Sequence, residues 1–88
     1  MIKWFMYLIK CEDGSFYVGS TSNTDRRFAE HSHKKGGRYT KLHKPIKIVY
    51  KEEFFTKIEV LNRERQIKGW RRGKKEHLIK YGNRKKPE

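Results

Sequence analysis

Glu64 is the residue whose surroundings are hardest to explain without chemistry. Val60 and Leu61 precede it by four and three positions, and Ile67 and Lys68 follow it by three and four. On a helix this spacing puts the carboxylate on or beside the apolar stripe. An ionised carboxylate there is costly unless it is paired, hydrogen-bonded or bound to a metal. One reading is a salt bridge to one of the many neighbouring basic groups. The other is a magnesium ligand, because magnesium takes one or two carboxylates and completes its shell with water and substrate phosphate. Zinc is a poorer match: His31 and His33 are close in sequence, but Cys11 is the only cysteine and no further histidine stands at ligand spacing.

Arg27 and His31 lie four apart, so they share a helix face if Arg26–Lys34 runs as a helix with Phe28 as its anchor. Tyr7 and Tyr17 fall in two β-like runs, Trp4–Lys10 and Ser15–Ser20, separated by Glu12-Asp13-Gly14. This reads as a hairpin. A three-residue loop with Gly14 in the left-handed conformation sets Cys11 opposite Ser15, Ile9 opposite Tyr17 and Tyr7 opposite Gly19, with both tyrosines on one side. A two-residue Asp13-Gly14 turn puts them on opposite sides, since a slip of one residue exchanges the faces. The residues permit both.

The charge balance points the same way as these polar groups. Lysine and arginine total 23 against 10 acids, a formal net charge of +13 in 88 residues. Such an excess favours a polyanion, above all nucleic acid, because each neutralised phosphate releases condensed counterions. A chain of this length forms one domain and buries only about 60% of its unfolded surface. Its apolar fraction is 34%, but 14% of the residues are aromatic, so few side chains fill much of the core. Lys3 and Lys10 bracket too short an apolar run for a membrane span, and no small-residue cleavage site follows. With a lone cysteine suited to a reducing compartment, the expectation is a mature, soluble, cytoplasmic protein.

The remaining elements follow from local signals. Thr21–Asp25 carries several helix-capping candidates. Lys34–Lys44 reads as a basic loop of about 10 residues, long enough to be a functional candidate. Ile46–Tyr50 alternates Ile46, Ile48 and Tyr50 against Lys47 and Val49, which predicts a third strand with one buried face and Pro45 at its start. Thr56 and Glu59 have capping-box spacing and announce a helix to about Lys68, ended by Gly69, with Trp70 packing as the chain turns. Arg71–Lys80 reads as a last short helix, weakened by Gly73 and closed near Gly82. There is no internal repeat.

Taken in order, Tyr7, Tyr17-Val18-Gly19, Arg27, His31 and Glu64 resemble the signature of the GIY-YIG nuclease superfamily, and the match spans most of the chain. It looks closest to the small stand-alone bacterial members, similar to the N-terminal domain of the excision-repair nuclease. Tyr7-Leu8-Ile9-Lys10-Cys11, Asp13-Gly14-Ser15, Arg26-Arg27 with Glu30-His31, Arg38-Tyr39-Thr40 before Pro45, and Arg63-Glu64 with Gln66-Ile67-Lys68-Gly69-Trp70 carry that narrower likeness. The first element here reads Phe5-Met6-Tyr7, so only its tyrosine matches, and Ser20 stands where some members carry a lysine after the second glycine. The resemblance implies an α+β fold of order ββαβα(α), a three-stranded antiparallel sheet flanked by helices. It implies a nuclease domain over 1–82; the polar, highly charged stretch 83–88 reads by composition as a basic, disordered tail. The resemblance also favours the three-residue hairpin loop.

The activity so implied is metal-dependent endonucleolytic hydrolysis of phosphodiesters, with DNA ahead of RNA, although the residues alone do not choose between them. Cleavage needs a deprotonated nucleophile, stabilisation of charge on the phosphate and help for the leaving oxygen. Tyr17 is the candidate for activating water and Tyr7 for positioning water or phosphate; outside the family pattern both read as strand aromatics. Arg27 offers a planar fork to phosphate, and His31 a proton relay. Glu64 anchors Mg2+ or Mn2+. Nucleic-acid contacts are expected from Lys34, Lys35, Arg38, Lys41 and Lys44, from Arg71, Arg72, Lys74 and Lys75, and from Tyr39 near the site. No base-reading element is evident, so specificity falls to nucleic-acid shape or to a protein partner. The competing reading is a basic nucleic-acid-binding module that keeps the scaffold without turnover.

Overall fold

The computed structural model describes residues 2–32 and 43–82, without the side chains of His31 and Ser32. The chain runs β1 (Trp4–Cys11), β2 (Phe16–Thr21), α1 (Thr24–Ser32), β3 (Pro45–Phe54), α2 (Lys57–Lys68) and α3 (Arg72–Tyr81). The three strands form an antiparallel sheet of order β2-β1-β3, which makes β2 an edge strand. This is the expected α+β arrangement.

Turn chemistry sets the register of the first hairpin. Gly14 has φ +86°, and its N–H donates to the Cys11 carbonyl at 2.9 Å while the Cys11 N–H donates to Ser15 at 2.8 Å. This is the three-residue loop with a glycine in the left-handed region. Asp13 Oδ1 accepts from both the Ser15 amide, at 3.0 Å, and the Ser15 hydroxyl, at 2.6 Å. Those bonds, with His43 bonded to the other carboxylate oxygen, hold the Asp13 carboxyl well below the usual range. The Glu12 N–H donates to the Lys44 carbonyl at 2.7 Å, so the same turn receives the chain as it enters β3.

Two expected elements shift. Helix α1 starts at Thr24, two residues before the expected Arg26, because Asn23 Oδ1 accepts from the Arg26 amide at 3.0 Å and caps the first turn. Strand β3 runs to Phe54 rather than stopping at Tyr50, since Trp4–Tyr7 of β1 pairs with Lys51–Phe54. Its pairing also slips between Leu8 and Ile9 and between Lys10 and Cys11. The first slip puts Ile48 opposite Ile9 and Tyr50 opposite Leu8, on different faces, so the simple alternation read from Ile46, Ile48 and Tyr50 does not hold. Ile46 itself is 52% exposed.

Alternation along β1 divides the core between the two faces of the sheet. Met6 and Leu8, with Val18, pack against Val60 and Ile67 of α2 and Leu78 of α3. Tyr7, Ile9 and Cys11 face the other way, with Tyr17, Ile48 and Phe28 of α1 against them. Helix α2 begins as expected at Thr56, whose Oγ1 accepts from the Glu59 amide at 3.2 Å. A half-buried polar network ties it to β3. Arg63 grips Glu52 with Nε at 2.8 Å and a terminal nitrogen at 2.9 Å, and Tyr50 donates to the same carboxylate at 2.6 Å. The Arg63 and Glu52 side chains are only 16% and 10% exposed. Trp70 fills the corner between α2 and α3, with Arg63 at 5.2 Å and Lys74 at 4.3 Å from its ring centre.

Replacing Arg63 by Met leaves the largely shielded Glu52 carboxylate without its cation, held only by the Tyr50 hydroxyl. A loss of about 3–5 kcal/mol is expected in urea denaturation, and a smaller loss when Glu52 is replaced by Met as well.

Candidate active site

The site is assembled around the backbone of β2. Tyr7 on the central strand pairs with Gly19 on the edge strand, and its ring lies across that glycine. A Cβ built on Gly19 would overlap the Tyr7 hydroxyl, sit 2.6 Å from Tyr7 Cζ and lie 2.9 Å from Tyr17 Cε2. The glycine is needed here for room. It allows a buried tyrosine to reach across the last strand to the edge of the sheet, where its ring centre lies 6.1 Å from that of the half-buried Tyr17.

Arg27 approaches the two phenols from α1, which is seated on the sheet through Phe28. Glu30, one turn along the same face, orients the guanidinium at 3.2 Å from Nη1. Burial works against the Arg27 charge, but hydrogen bonds to Tyr7, Glu30 and Tyr17 outweigh it and hold the guanidinium above its ordinary value. Burial pushes the Tyr7 phenol well up, Tyr17 adds to the rise, and the hydrogen bond and charge of Arg27 oppose it. Tyr7 is therefore a neutral phenol at physiological pH, its oxygen accepting from the Arg27 guanidinium.

Glu64 comes from the opposite face of the sheet. It lies between the buried Val60 and Ile67 on α2, with its side chain 17% exposed, and accepts from the Ser20 hydroxyl at 2.5 Å. Ser20 is the residue next to Gly19, so carboxylate and phenols meet around one strand edge, and the negative charge of Glu64 contributes to the rise at Tyr7. The second carboxylate oxygen, Oε2, faces Lys68 Nζ at 2.6 Å. Glu64 is thus ion-paired to Lys68, as the salt-bridge reading expected, and its charge reaches Tyr7.

The other candidates are spread more widely. His31 belongs to α1 one turn past Arg27, but its side chain is outside the described part, as are Lys34, Lys35, Arg38, Tyr39 and Lys41. Lys44 is exposed, 3.9 Å from Glu12. Arg71 stands at the N-cap position of α3 without a side-chain capping bond, and Lys75 is half-buried on that helix. Arg72 is bound to the Gly14 carbonyl and stacked 4.8 Å from the Phe16 ring centre, so it latches α3 onto the hairpin turn. Lys74 lies over Trp70. Sequence reasoning passed over Ser20 and Lys68 as partners of Glu64 and Glu30 as the orienting group of Arg27. The last two were signalled by spacings of four and three on a helix; the Ser20 contact joins residues 44 apart and had no local signal.

A model of the GIY-YIG catalytic domain matches residues 3–77. The chain belongs to the GIY-YIG family. Its relatives include a UPF0213 protein of Staphylococcus saprophyticus, 43% identical over 82 residues that cover 93% of this chain and all of that one. A UPF0213 protein of Staphylococcus epidermidis is 42% identical with the same coverage. Among solved structures, the solution NMR structure of the UPF0213 protein BH0048 of Bacillus halodurans has a TM-score of 0.58 at 35% identity, covering 92% of this chain and 87% of that one. The E. faecalis protein EF2693 gives 0.61 at 29%, covering 98% and 93%. The GIY-YIG domain places the chain in a nuclease-type superfamily whose members are generally metal-dependent.

In this GIY-YIG chain the described residues contain no group of three or more histidines, cysteines or carboxylates able to hold a metal. A single half-shielded carboxylate beside a hydroxyl offers hard oxygen donors, which suits Mg2+ or Mn2+ with a mostly aqueous shell and does not suit a structural zinc. No helix among the described residues is long and apolar enough to cross a membrane.

Two outcomes follow from the geometry. Gly19→Ala should destabilise the chain by about 1–3 kcal/mol in denaturant unfolding, because the tyrosines must shift to admit the Cβ. The folded Tyr7 phenol titrates above the unfolded value of about 10, so its contribution to stability is complete below that pH and is lost as pH rises toward the folded value. Urea denaturation from pH 9 upward should show that decline, with a shallower slope in Tyr7→Phe.

Proposed function

We propose that this chain is a metal-dependent endonuclease that hydrolyses phosphodiester bonds of nucleic acid, with DNA as its first substrate class. The observation that carries the proposal is the convergence of Tyr7 and Tyr17 over Gly19, with Arg27 bonded to both phenols and Glu64 reaching the same strand through Ser20.

The roles divide by environment. Arg27, oriented by Glu30 and the phenols, binds the non-bridging phosphate oxygens and stabilises the charge that grows on them. Tyr17, the more exposed phenol, is the general base in its phenolate form, which neighbouring cations favour. It takes one proton from the attacking water as the water oxygen bonds to phosphorus and the bond to the leaving oxygen breaks. Tyr7 keeps its proton and donates a hydrogen bond that fixes water or phosphate in line. His31, one turn beyond Arg27, serves as proton relay. Glu64 holds Mg2+ or Mn2+, which when bound polarises the phosphate and stabilises the leaving oxygen. The exposed lysines and arginines supply phosphate contacts that do not read sequence.

A second reading, binding without turnover, draws support from the engagement of both Glu64 oxygens within the chain, by Ser20 and Lys68. One assay separates the two. Labelled single-stranded, duplex and branched DNA, with matching RNA, are incubated with Mg2+ or Mn2+ and with chelator. Cleavage is expected only with metal. Arg27→Ala should lower its rate by about 10²–10³-fold, Tyr17→Phe by about 10²–10⁴-fold, and Glu64→Ala should abolish the metal response. Cleavage that survives Tyr17→Phe and Glu64→Ala removes the assigned site. Tight binding without cleavage on every substrate establishes the module.

A further inference from the structure

We propose that Lys68 is a placeholder for the metal, its ammonium occupying the Glu64 oxygen that a divalent cation takes and leaving when that cation loads; this rests on the reading of Glu64 as the metal ligand. The two oxygens of Glu64 are held differently. Oε1 accepts from Ser20, a short side chain on a strand, and this fixes the carboxylate plane against the edge of the sheet. Oε2 is covered by Lys68, one helical turn along α2, at 2.6 Å. Lys68 is 54% exposed whereas Glu64 is 17% exposed. The anchor is rigid and half-buried; its cap is long, flexible and open to solvent.

That asymmetry has a chemical consequence. A carboxylate packed between Val60 and Ile67 is costly without a cation, so the ammonium keeps it ionised and oriented while no metal is present. An exposed lysine pair on a helix is weak and its stem swings freely. A divalent ion at Oε2 repels the ammonium and compensates the same carboxylate with twice the charge. Metal loading is then an exchange of cations on a preformed ligand, with Lys68 setting the metal concentration at which it occurs.

The test reads metal affinity, not turnover. Mn2+ alone is titrated into the full chain and free Mn2+ is followed by electron paramagnetic resonance, for wild type, Lys68→Met, Lys68→Gln, Lys68→Arg and Glu64→Ala. Removing the ammonium should tighten Mn2+ binding by about twofold to fivefold, the range set by an exposed ion pair, in both Lys68→Met and Lys68→Gln. Lys68→Arg should return it toward wild type. A purely structural role for Lys68 predicts the opposite sign, because a loosened helix binds metal less well. Unchanged or weaker binding in both neutral variants, with Glu64→Ala still abolishing it, overturns the placeholder and spares the metal site. Binding that Glu64→Ala leaves intact overturns both.

Discussion

The Tyr7 ring rests on the backbone of Gly19, and a residue with any side chain at that position would push it away. Much of the arrangement depends on this contact. It joins the central strand to the edge strand through a side chain as well as through the ladder, and it carries a buried phenol to a place where Tyr17, Arg27 and the charge of Glu64 all act on it. The pairing of Tyr7 with Gly19 exists only because the hairpin loop has three residues, and the loop has three residues because Gly14 takes a left-handed turn that other residues resist. Two glycines five residues apart therefore do separate physical work, one in conformation and one in space.

A chain this small has little apolar area to divide, and it divides it between two faces. The α2 and α3 side holds the larger cluster; the α1 side holds Tyr7, Ile9, Cys11 and the half-buried residues around them. The thinner face is where the phenols and guanidinium are, so part of its packing is done by the residues proposed to act. The thicker face receives the bidentate Arg63–Glu52 pair and its tyrosine donor, which fix α2 against β3 and so fix Glu64 along α2. Arg63, the residue before Glu64, thus holds the helix that carries the acidic group, while Ser20 orients its carboxylate.

How much of this was legible depends on whether the signal was local. Glu64 showed itself through four neighbours on one helix. The α2 start was readable from Thr56 and Glu59, and its stop from Gly69. The shared side of Tyr7 and Tyr17 hung on one loop residue, and both readings stayed open until the Cys11–Ser15 hydrogen bond decided it. β3 was harder: Ile46, Ile48 and Tyr50 alternate in sequence, but two slips in pairing send Ile48 and Tyr50 to different faces, and no side chain announces a slip. Glu52 and Glu53 masked the strand's second half, since the half-buried Glu52 is compensated by Arg63, eleven residues on. The partnership of Ser20 with Glu64 was invisible for the same reason.

The irregular β3 also bears on how copies of this chain behave together. Among the described residues β3 pairs on one side only, with β1. A flat, regular strand in that position is a template onto which another chain can add its own backbone. Pro45 lacks a donor, the two slips break the repeat of the ladder, and Lys47 and Lys51 are exposed along it. These features make β3 a poor seed for cross-molecular sheets.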